Sequence, residues 1–587
     1  MAVENLITEH IDIWTSAVKA KSTSGRGSSK KLELYGVKKL RELILELAVR
    51  GKLVPQDPND EPASVLLERI AAEKAKLVKA KKIKKQKSLG QVSKDEELFD
   101  TPTGWAWTRI SEIAEISPRN STTDDDAEVS FVPMPLITTN YDGSHGSEKR
   151  IWKEIKKGYT HFQDGDIALA KITPCFENSK AAVFSGLEGG VGAGTTELHV
   201  ARPLSDCINP LFVLLYLKAP IFLKVGETKM TGSAGQKRVP KDFFSENPLP
   251  FPPSNEQHRI VAKVDELMTL CDQLEQQTEA SIEAHQVLVT TLLDTLTYSA
   301  DADELMQNWA RISEHFDTLF TTEESIDQLK QTILQLAVMG KLVPQDPSDE
   351  PAAKLLERIA EEKASLIKEK IIRKPKKMKD WVELDRPFAL EDGAEWVRLG
   401  DLCFTVADGP HFSPQYVEKN EGVPFLSTRN ISSSNIDMES AKYVSHEDHE
   451  EFCKRVKVKK GDVLYTKGGT TGIAKVNDLD VEFSVWVHLA VLQIPNDKLL
   501  NEYLALALNS PHCYIQSQTY TNGIGNKDLG LTRMINITLP LYPLNKQYRI
   551  VEKANTLIVI CDQLKARLKE SQSTQQYLTD AIVEQAI

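Results

Sequence analysis

Leu45–Leu77 reads LELAVRGKLVPQDPNDEPASVLLERIAAEKAKL, and Leu334–Leu366 reads LQLAVMGKLVPQDPSDEPAAKLLERIAEEKASL. The two stretches agree at 26 of 33 positions at a constant offset of 289, so the chain carries a duplication. The echo extends both ways. Trp107–Ile113 is matched by Trp396–Leu402, 289 residues on, and NEQHRIVAKVDELMTLCDQL at Asn255–Leu274 by NKQYRIVEKANTLIVICDQL at Asn545–Leu564, 290 on. This period lies far beyond the 20–50 residues of a solenoid, and it predicts a tandem pair of domains on a common frame. Between the anchors, residues 118–240 and 407–530 scarcely align. Only Gly165-Asp166-Ile167 and Gly461-Asp462-Val463 read as related strand starts.

The repeated segments read as helices. Val37, Leu40, Ile44 and Leu47 fall on one helix face, as do Ile326, Leu329, Ile333 and Leu336. Gly51 and Gly340 are placed to cap these helices, and the Pro-Gln-Asp-Pro runs at 55–58 and 344–347 force an extended turn. A second helix then buries Val65, Leu66 and Ile70, or Leu355, Leu356 and Ile359. Further on, Ile260, Val264, Leu267, Cys271 and Leu274 recur at 4-3-4-3 spacing, as do Ile550, Ala554, Leu557, Cys561 and Leu564. That is a coiled-coil seam, which needs a partner helix. The stripe fades after each seam and resumes at Leu288 and Leu292, and at Leu578 and Ile582. Helices of this length, about 60 Å for 40 residues, suit a spacer. Helical segments at both ends of the chain are expected to pair and close the frame with rough two-fold symmetry. The segments between are rich in Gly, Pro, Thr, Asn and aromatics. Ile167–Ile172, Val463–Tyr465 and Val485–Ile494 read as strands, and Leu211–Leu217 and Tyr503–Leu508 as short helices.

Composition bounds the function. With 41% hydrophobic and 27% charged residues, the chain fits an ordinary globular class. No apolar run approaches a membrane span, and the N-terminus has no apolar signal core, so a cytoplasmic protein without a membrane role is expected. Seven dispersed cysteines without a C-x-x-C indicate neither a zinc site nor a disulfide framework. The net charge of −12 taken alone argues against nucleic-acid binding. The distribution tempers that, because basic runs at Lys74–Lys87 and Lys368–Lys379 each follow a repeated helix. They read equally as solvated helix ends or as phosphate contacts.

No catalytic set emerges. Asn247-Pro248-Leu249-Pro250-Phe251 only faintly matches the adenine-binding motif of amino-methyltransferases. Gly189–Gly194 (GGVGAG) lacks the βαβ context of a nucleotide loop, and no P-loop is present. Asp142 with Glu154-Ile155-Lys156 imitates a nuclease motif by chance. The histidines show no metal-binding pair, and no metal site is expected. What remains is recognition chemistry. Arg or Lys reads guanine and Asn or Gln reads adenine, with Ser and Thr as adaptable partners. Loops dense in these types supply the candidate DNA contacts: Arg119, Asn120, Thr138, Asn140, Lys171, Gln236, Lys237 and Arg238 in the first module, and Thr428, Arg429, Asn430, Lys467, Thr470, Asn526 and Lys527 in the second. Lys171 and Lys467 follow the Gly-Asp strand by a similar interval, and the loops holding Gln236-Lys237 and Asn526-Lys527 correspond.

The doubled Gly-Lys-Leu-Val-Pro-Gln-Asp-Pro with its Glu-Pro-Ala and Leu-Leu-Glu-Arg-Ile, the doubled Gln-x-Arg-Ile-Val helix and the two unlike modules between them resemble the specificity (S) subunits of type I restriction–modification enzymes, most closely the type IB subgroup. The resemblance covers nearly the whole chain. It implies an α+β architecture in which two mixed α/β target recognition domains are separated by long antiparallel coiled-coil helices in a pseudo-two-fold repeat. The expected domains are an N-terminal helical region (1–94), target recognition domain 1 (95–253), a central coiled-coil region (254–385), target recognition domain 2 (386–543) and a C-terminal helix (544–587). It further implies a non-catalytic subunit that binds double-stranded DNA, each domain reading one half of an asymmetric bipartite site. Two methyltransferase (M) subunits dock on the helices and two restriction (R) subunits join them. No cofactor is expected on this chain, S-adenosylmethionine, ATP and Mg belonging to the partners. A coiled-coil scaffold without DNA reading is the alternative.

Overall fold

The computed structural model of the protein describes residues 3–20, 32–85, 89–121, 123–233, 235–300, 302–495, 499–523 and 527–587. Lys87 of the first basic run and the candidate contact Asn526 lie outside the described residues. The chain forms two compact units, residues 1–281 with 571–587, and residues 282–570. The boundary falls inside each of two long helices.

In the first unit, helix α1 (Tyr35–Val49) buries Val37, Leu40, Ile44 and Leu47. It stops where Gly51 takes φ +69 and the Lys52 N–H reaches back to the Leu47 carbonyl at 2.9 Å. Glycine adopts that left-handed conformation at little cost, and a Cβ there would lie 2.5 Å from Pro102 Cγ. Helix α2 (Ala63–Lys79) buries Ala63, Leu66 and Ile70. Val65, expected in this stripe, is 46% exposed, because the 3-4 spacing that selects Leu66 turns its neighbour to solvent.

The first module follows. Strand β1 (Ala106–Arg109) pairs antiparallel with β10 (Pro248–Phe251), joining the entry and exit of the module. Between them lie β2 (Ala114–Ile116), β3 (Glu128–Val132), β4 (Glu148–Ile151), β5 (Thr160–Gln163), β6 (Ile167–Ala170), β7 (Ala181–Val183), β8 (Val191–Gly194) and β9 (Leu198–Pro203). They form two sheets, ordered β2-β9-β6-β7 and β4-β3-β8-β5, with β3 and β8 parallel. Helix α3 (Pro210–Lys218), buried from Phe212 to Lys218, packs beside β6 and β7. Tyr216 ties it to the module exit, its hydroxyl donating to the Pro248 carbonyl at 2.5 Å.

Helix α4 (Ser254–Tyr298) then leaves the module. Ile260, Val264, Leu267 and Cys271 are buried, and Leu274 is half-buried. Beside this seam lies α1, bridged to it by Arg41 at 2.5 Å from Asp272 and 2.6 Å from Glu275. The end of the chain belongs to the same unit. Asp580 accepts from the Tyr35 hydroxyl at 2.7 Å, and Gln576 donates to the Val18 carbonyl at 2.9 Å.

The second unit repeats the plan. Beyond residue 281 the stripe of α4 resumes at Val289, Leu293 and Leu296. Leu288, expected there, is 49% exposed and Leu292 only partly buried, a register one residue later than the sequence suggested. Helix α5 (Glu323–Val338) packs Ile326, Leu329, Ile333 and Leu336 into one core with Ile550, Ala554, Cys561, Leu557 and Leu564 of the last helix. Helix α6 (Ala352–Lys368) buries Ala352, Leu355 and Ile359, while Leu356 is only partly covered. In both units the seam of the long helix therefore meets the preceding repeated helix.

The second module holds β11 (Glu395–Arg398), β12 (Thr405–Asp408), β13 (Val423–Leu426), β14 (Lys442–Val444), β15 (Val463–Thr466), β16 (Ala474–Val476), β17 (Ser484–Val485), β18 (Leu489–Gln493) and β19 (Thr538–Leu541). β11 pairs with β19, one sheet runs β12-β18-β15-β16, and another runs β14-β13-β17 with β13 and β17 parallel. This is the first module's order strand for strand, except that β5 has no counterpart strand among the described residues. The run Val485–Ile494, read as one strand, is two strands in different sheets. Helix α7 (Asn501–Leu508) repeats α3, with the Tyr503 hydroxyl donating to the Pro540 carbonyl at 2.7 Å. Helix α8 (Leu544–Ala586) repeats α4.

The duplicated polar residues hold this frame. Asp60 accepts from Asn255 at 3.0 Å and Arg259 at 2.7 Å, and Asp349 from Asn545 at 3.2 Å and Arg549 at 2.6 Å. Gln257, fully buried, accepts from the Asn209 N–H at 2.8 Å and donates to the Pro252 carbonyl at 3.0 Å. Gln547 does the same with the Leu500 N–H at 3.1 Å and the Tyr542 carbonyl at 2.8 Å. Buried polar groups must be paired, which accounts for the recurrence of Asp-Glu-Pro and of Asn-x-Gln-x-Arg.

Candidate nucleic-acid interface

Each module builds one corner with the same backbone bonds. In the first, Lys171 continues β6. Its N–H donates to the Glu197 carbonyl at 3.0 Å, and its carbonyl accepts from the Val239 N–H at 2.8 Å. The Thr173 N–H donates to the Lys237 carbonyl at 3.0 Å, and Arg238 exchanges two bonds with Thr231 at 2.8 and 3.0 Å. In the second, the Lys467 N–H donates to the His488 carbonyl at 2.9 Å, and its carbonyl accepts from Leu529 at 2.7 Å. The Gly469 N–H donates to the Lys527 carbonyl at 3.0 Å, and Asp528 exchanges bonds with Asn522 at 2.9 and 3.1 Å. Lys171 and Lys467, Lys237 and Lys527, and Arg238 and Asp528 thus occupy matched positions.

The side chains at these positions differ. Arg238 forms a fork on Glu197, with Nε and Nη2 each at 2.9 Å from a carboxylate oxygen, while Nη1 donates to the Gln236 carbonyl at 3.1 Å. The guanidinium holds the Glu197 carboxyl below the usual carboxylate range. In the second module the charge pattern reverses. Lys467 is 5% exposed, with Nζ 2.8 Å from Asp528 Oδ1 and 3.4 Å from Asp408 Oδ2. Buried Asp408 also meets Arg455 and, at 3.3 Å, His411. His488 sits close enough that a Cβ on Gly468 would lie 2.0 Å from its Nδ1. Burial, then the nearby Lys467 charge, push the His488 imidazole below its ordinary pKa.

The structure brings Lys171 together with Gln236, Lys237 and Arg238, and Lys467 with Thr470 and Lys527. Gln236, Lys237, Thr470 and Lys527 are exposed, and Lys171 is half-buried. Other candidates belong to other loops. Arg119 is exposed, with Nη1 3.5 Å from the Tyr159 carbonyl. Asn120 is buried, donating to the Phe162 carbonyl at 2.7 Å and accepting from Arg202 at 2.9 Å. Thr138 and Asn140 flank a turn closed on Ser144 at 2.8 and 3.4 Å. In the second module Arg429 is exposed and Thr428 half-buried. Asn430 is buried, accepting from the Ser427 N–H at 2.9 Å and donating to the Asp437 carbonyl at 3.1 Å. The polar atoms of Asn120, Asn430 and Lys467 are therefore directed into their own modules.

Sequence reasoning passed over Glu197, Asp408 and Asp528, because it counted basic, amide and hydroxyl residues but no acids. A signal existed: the two loops end in Lys237-Arg238-Val239 and Lys527-Asp528-Leu529, a lysine, a second charge and an apolar anchor.

The catalytic lookalikes have structural roles. Pro248–Phe251 is strand β10, and Val191–Gly194 is β8. Asp142 accepts from the Ser144 N–H at 3.0 Å. Among the described residues no cluster of three or more His, Cys, Asp or Glu could hold a metal, and no helix is long and apolar enough to cross a membrane.

Residues 102–284 and 391–571 both match the family model of the type I restriction modification DNA specificity domain. Over 595 positions, covering 100% of both chains, the protein is 52% identical to the specificity subunit of the type I restriction enzyme EcoAI of Escherichia coli. It is 50% identical over 597 positions, again 100% of both, to that of EcoEI from the same organism. Among solved structures, a chain described under "Structural basis underlying complex assembly and conformational transition of the type I R-M system" matches with a TM-score of 0.49 at 19% identity, covering 83% of this chain and 98% of that one. The chain belongs to the specificity-subunit family of type I restriction–modification enzymes, as a non-catalytic subunit that gives such a complex its sequence-specific DNA binding.

Proposed function

We propose that each module, about 95–253 and 386–543, is a target recognition domain that reads one half of an asymmetric, two-part DNA sequence. The repeated helices hold two methyltransferase subunits, and two restriction subunits complete the assembly in the cytoplasm. The observation that carries this reading is the matched corner: the same backbone bonds present Arg238 and Glu197 in one module, and Asp528 and Lys467 in the other. Two readers of one fold but opposite local charge suit two different half-sites. Readers on one face of B-DNA address half-sites about one helical turn, roughly 10 bp, apart. S-adenosylmethionine, ATP and Mg belong to the partner subunits.

The test is a module exchange. Residues 386–543 are replaced by those of a relative with a different target, and the methylated sites of a host carrying the hybrid are sequenced. One half-site should change and the other stay. Change in both halves, or in neither, would defeat the modular reading. A scaffold without DNA reading would leave the target untouched.

A further inference from the structure

We propose, resting on the two-reader function, that Lys237-Arg238 and Lys527-Asp528 are paired contact points: each lysine meets the phosphate backbone, Arg238 reads a guanine, and Asp528 reads a cytosine. Phosphate contacts position a protein without carrying sequence information, whereas base-edge contacts specify. A residue that serves the first role can be the same in both modules, and Lys237 and Lys527 are, each exposed and each held by its carbonyl at 3.0 Å. A residue that serves the second role must differ between unlike half-sites. The very next positions carry opposite charges.

Donor arithmetic favours guanine for Arg238. A guanidinium has five N–H donors. Glu197 takes one from Nε and one from Nη2, and the Gln236 carbonyl takes one from Nη1. Two remain, one on each terminal nitrogen, and a pair of donors is what guanine O6 and N7 accept. The side chain is 43% exposed, and Glu197 fixes the plane of its fork. Glu197 is thus a positioning residue.

Asp528 is an acceptor with room for one more donor. Oδ1 takes the Lys467 ammonium at 2.8 Å, Oδ2 lies 3.8 Å from Arg533, and the side chain is 42% exposed. A bare carboxylate would be repelled by phosphates, and the buried Lys467 with the neighbouring Lys527 offsets that charge. The cytosine N4 amino group is the major-groove donor that a carboxylate accepts from.

The experiment uses the complex with its methyltransferase subunits, read by methylome sequencing and by DNA binding against salt. Arg238→Ala should relax one position of one half-site, where the wild type demands guanine, by about 5- to 150-fold, and Arg238→Gln should shift that guanine towards adenine. Asp528→Asn should shift one cytosine of the other half-site towards adenine, the base an amide reads. Lys237→Ala and Lys527→Ala should weaken all sequences alike and lower the salt slope by about one. Arg238→Gln keeps a polar side chain in the loop and decides the matter if Arg238→Ala does not assemble. An assembled Arg238→Gln or Asp528→Asn complex with unchanged targets would overturn the assignment, as would a change at any other base. If the module exchange moves one half-site while these variants do not, this assignment fails and the two-reader function stands. If the exchange also fails, the reading beneath it is wrong.

Discussion

In the repeated helices the two halves share their side-chain bonds; at the matched corners of the modules they share their backbone bonds and differ in their side chains. Asp60 and Asp349 each grip an Asn and an Arg at the start of a long helix. The matched corners of the modules keep the same backbone bonds within about 0.1 Å, yet Arg238 faces Glu197 where Asp528 faces Lys467. Backbone pairing does not depend on side-chain identity. A surface can therefore change its chemistry while the sheet beneath it stays. The frame has no such freedom, because its seams are buried side chains packed against one another. The first prediction attacks that rigidity. Leu267 is fully buried, whereas its repeat Leu557 is half-buried. Leu267→Glu forces a carboxylate into an apolar seam and should cost about 4 kcal/mol or more; Leu557→Glu should cost about half as much. Hydrogen exchange should show lost protection in α1 and the first half of α4 for Leu267→Glu, with smaller loss in α5 and α8 for Leu557→Glu. Equal loss would mean that the two seams are equally tight.

A sharper contrast lies at the Gly-Asp strand starts. Asp166 and Asp462 each accept a backbone N–H at 2.8 Å, from Gln163 and Lys459 respectively. Beyond that they differ. Asp166 grips the Arg202 guanidinium through both oxygens at 2.9 Å, while Asp462 accepts from neutral Gln493 at 3.0 Å. Burial raises both carboxyls above the ordinary range. Asp166→Asn strands a largely buried guanidinium and should cost about 2–3 kcal/mol. Asp462→Asn keeps an acceptor, removes a buried charge and should be close to neutral at pH 7. A raised folded pKa also sets a pH dependence. Stability declines as pH climbs from the unfolded carboxylate value through the folded one, because the unfolded chain releases its proton first. Asp462→Asn should remove that decline from the second unit, as read from urea midpoints across mildly acidic pH.

The frame was legible because buried helix faces announce themselves at 3-4 spacing and the duplication doubled the signal. Gly51, the Pro-Gln-Asp-Pro turn and Ile260–Cys271 needed no coordinates. Errors came from single-residue choices. Val65 beside Leu66 and Leu288 beside Val289 are equally apolar, and only packing decides which one faces inward. The modules were less legible. Their shared topology rests on backbone pairing such as β3 with β8, which no residue type marks. Base-reading residue types served poorly as a site signal for a related reason. Asn120 and Asn430 form inward networks, and an amide that satisfies its own loop looks the same in a sequence as one that faces DNA. Asp528 went unnoticed since an acid is an unexpected neighbour for phosphates until Lys467 is seen beneath it.

A pH-dependent contrast lies at the end of α3 and its repeat. Asn509, just past α7, holds both backbone groups of Ala474, accepting at 2.9 Å and donating at 2.8 Å. In the first module Lys218 holds the turn just before the corresponding edge strand β7 through one bond, from Nζ to the Ser179 carbonyl at 2.8 Å, while 3% exposed. Burial pushes its pKa from 10.5 down to about 7. Below that value the folded chain must bury an ammonium, and the full penalty is present. Between about 7 and 10.5 the unfolded chain still holds a proton that the folded chain has released, so stability rises with pH by up to roughly 1.4 kcal/mol per unit. Lys218→Met should flatten that rise, and Lys218→Asn, which borrows the second module's solution, should flatten it while offering a neutral amide to the same edge. Urea midpoints of the three proteins between pH 6 and about 10 give the comparison. Parallel curves would show that Lys218 keeps its charge in the fold, and that the helix end in the first module is wetter than its packing indicates.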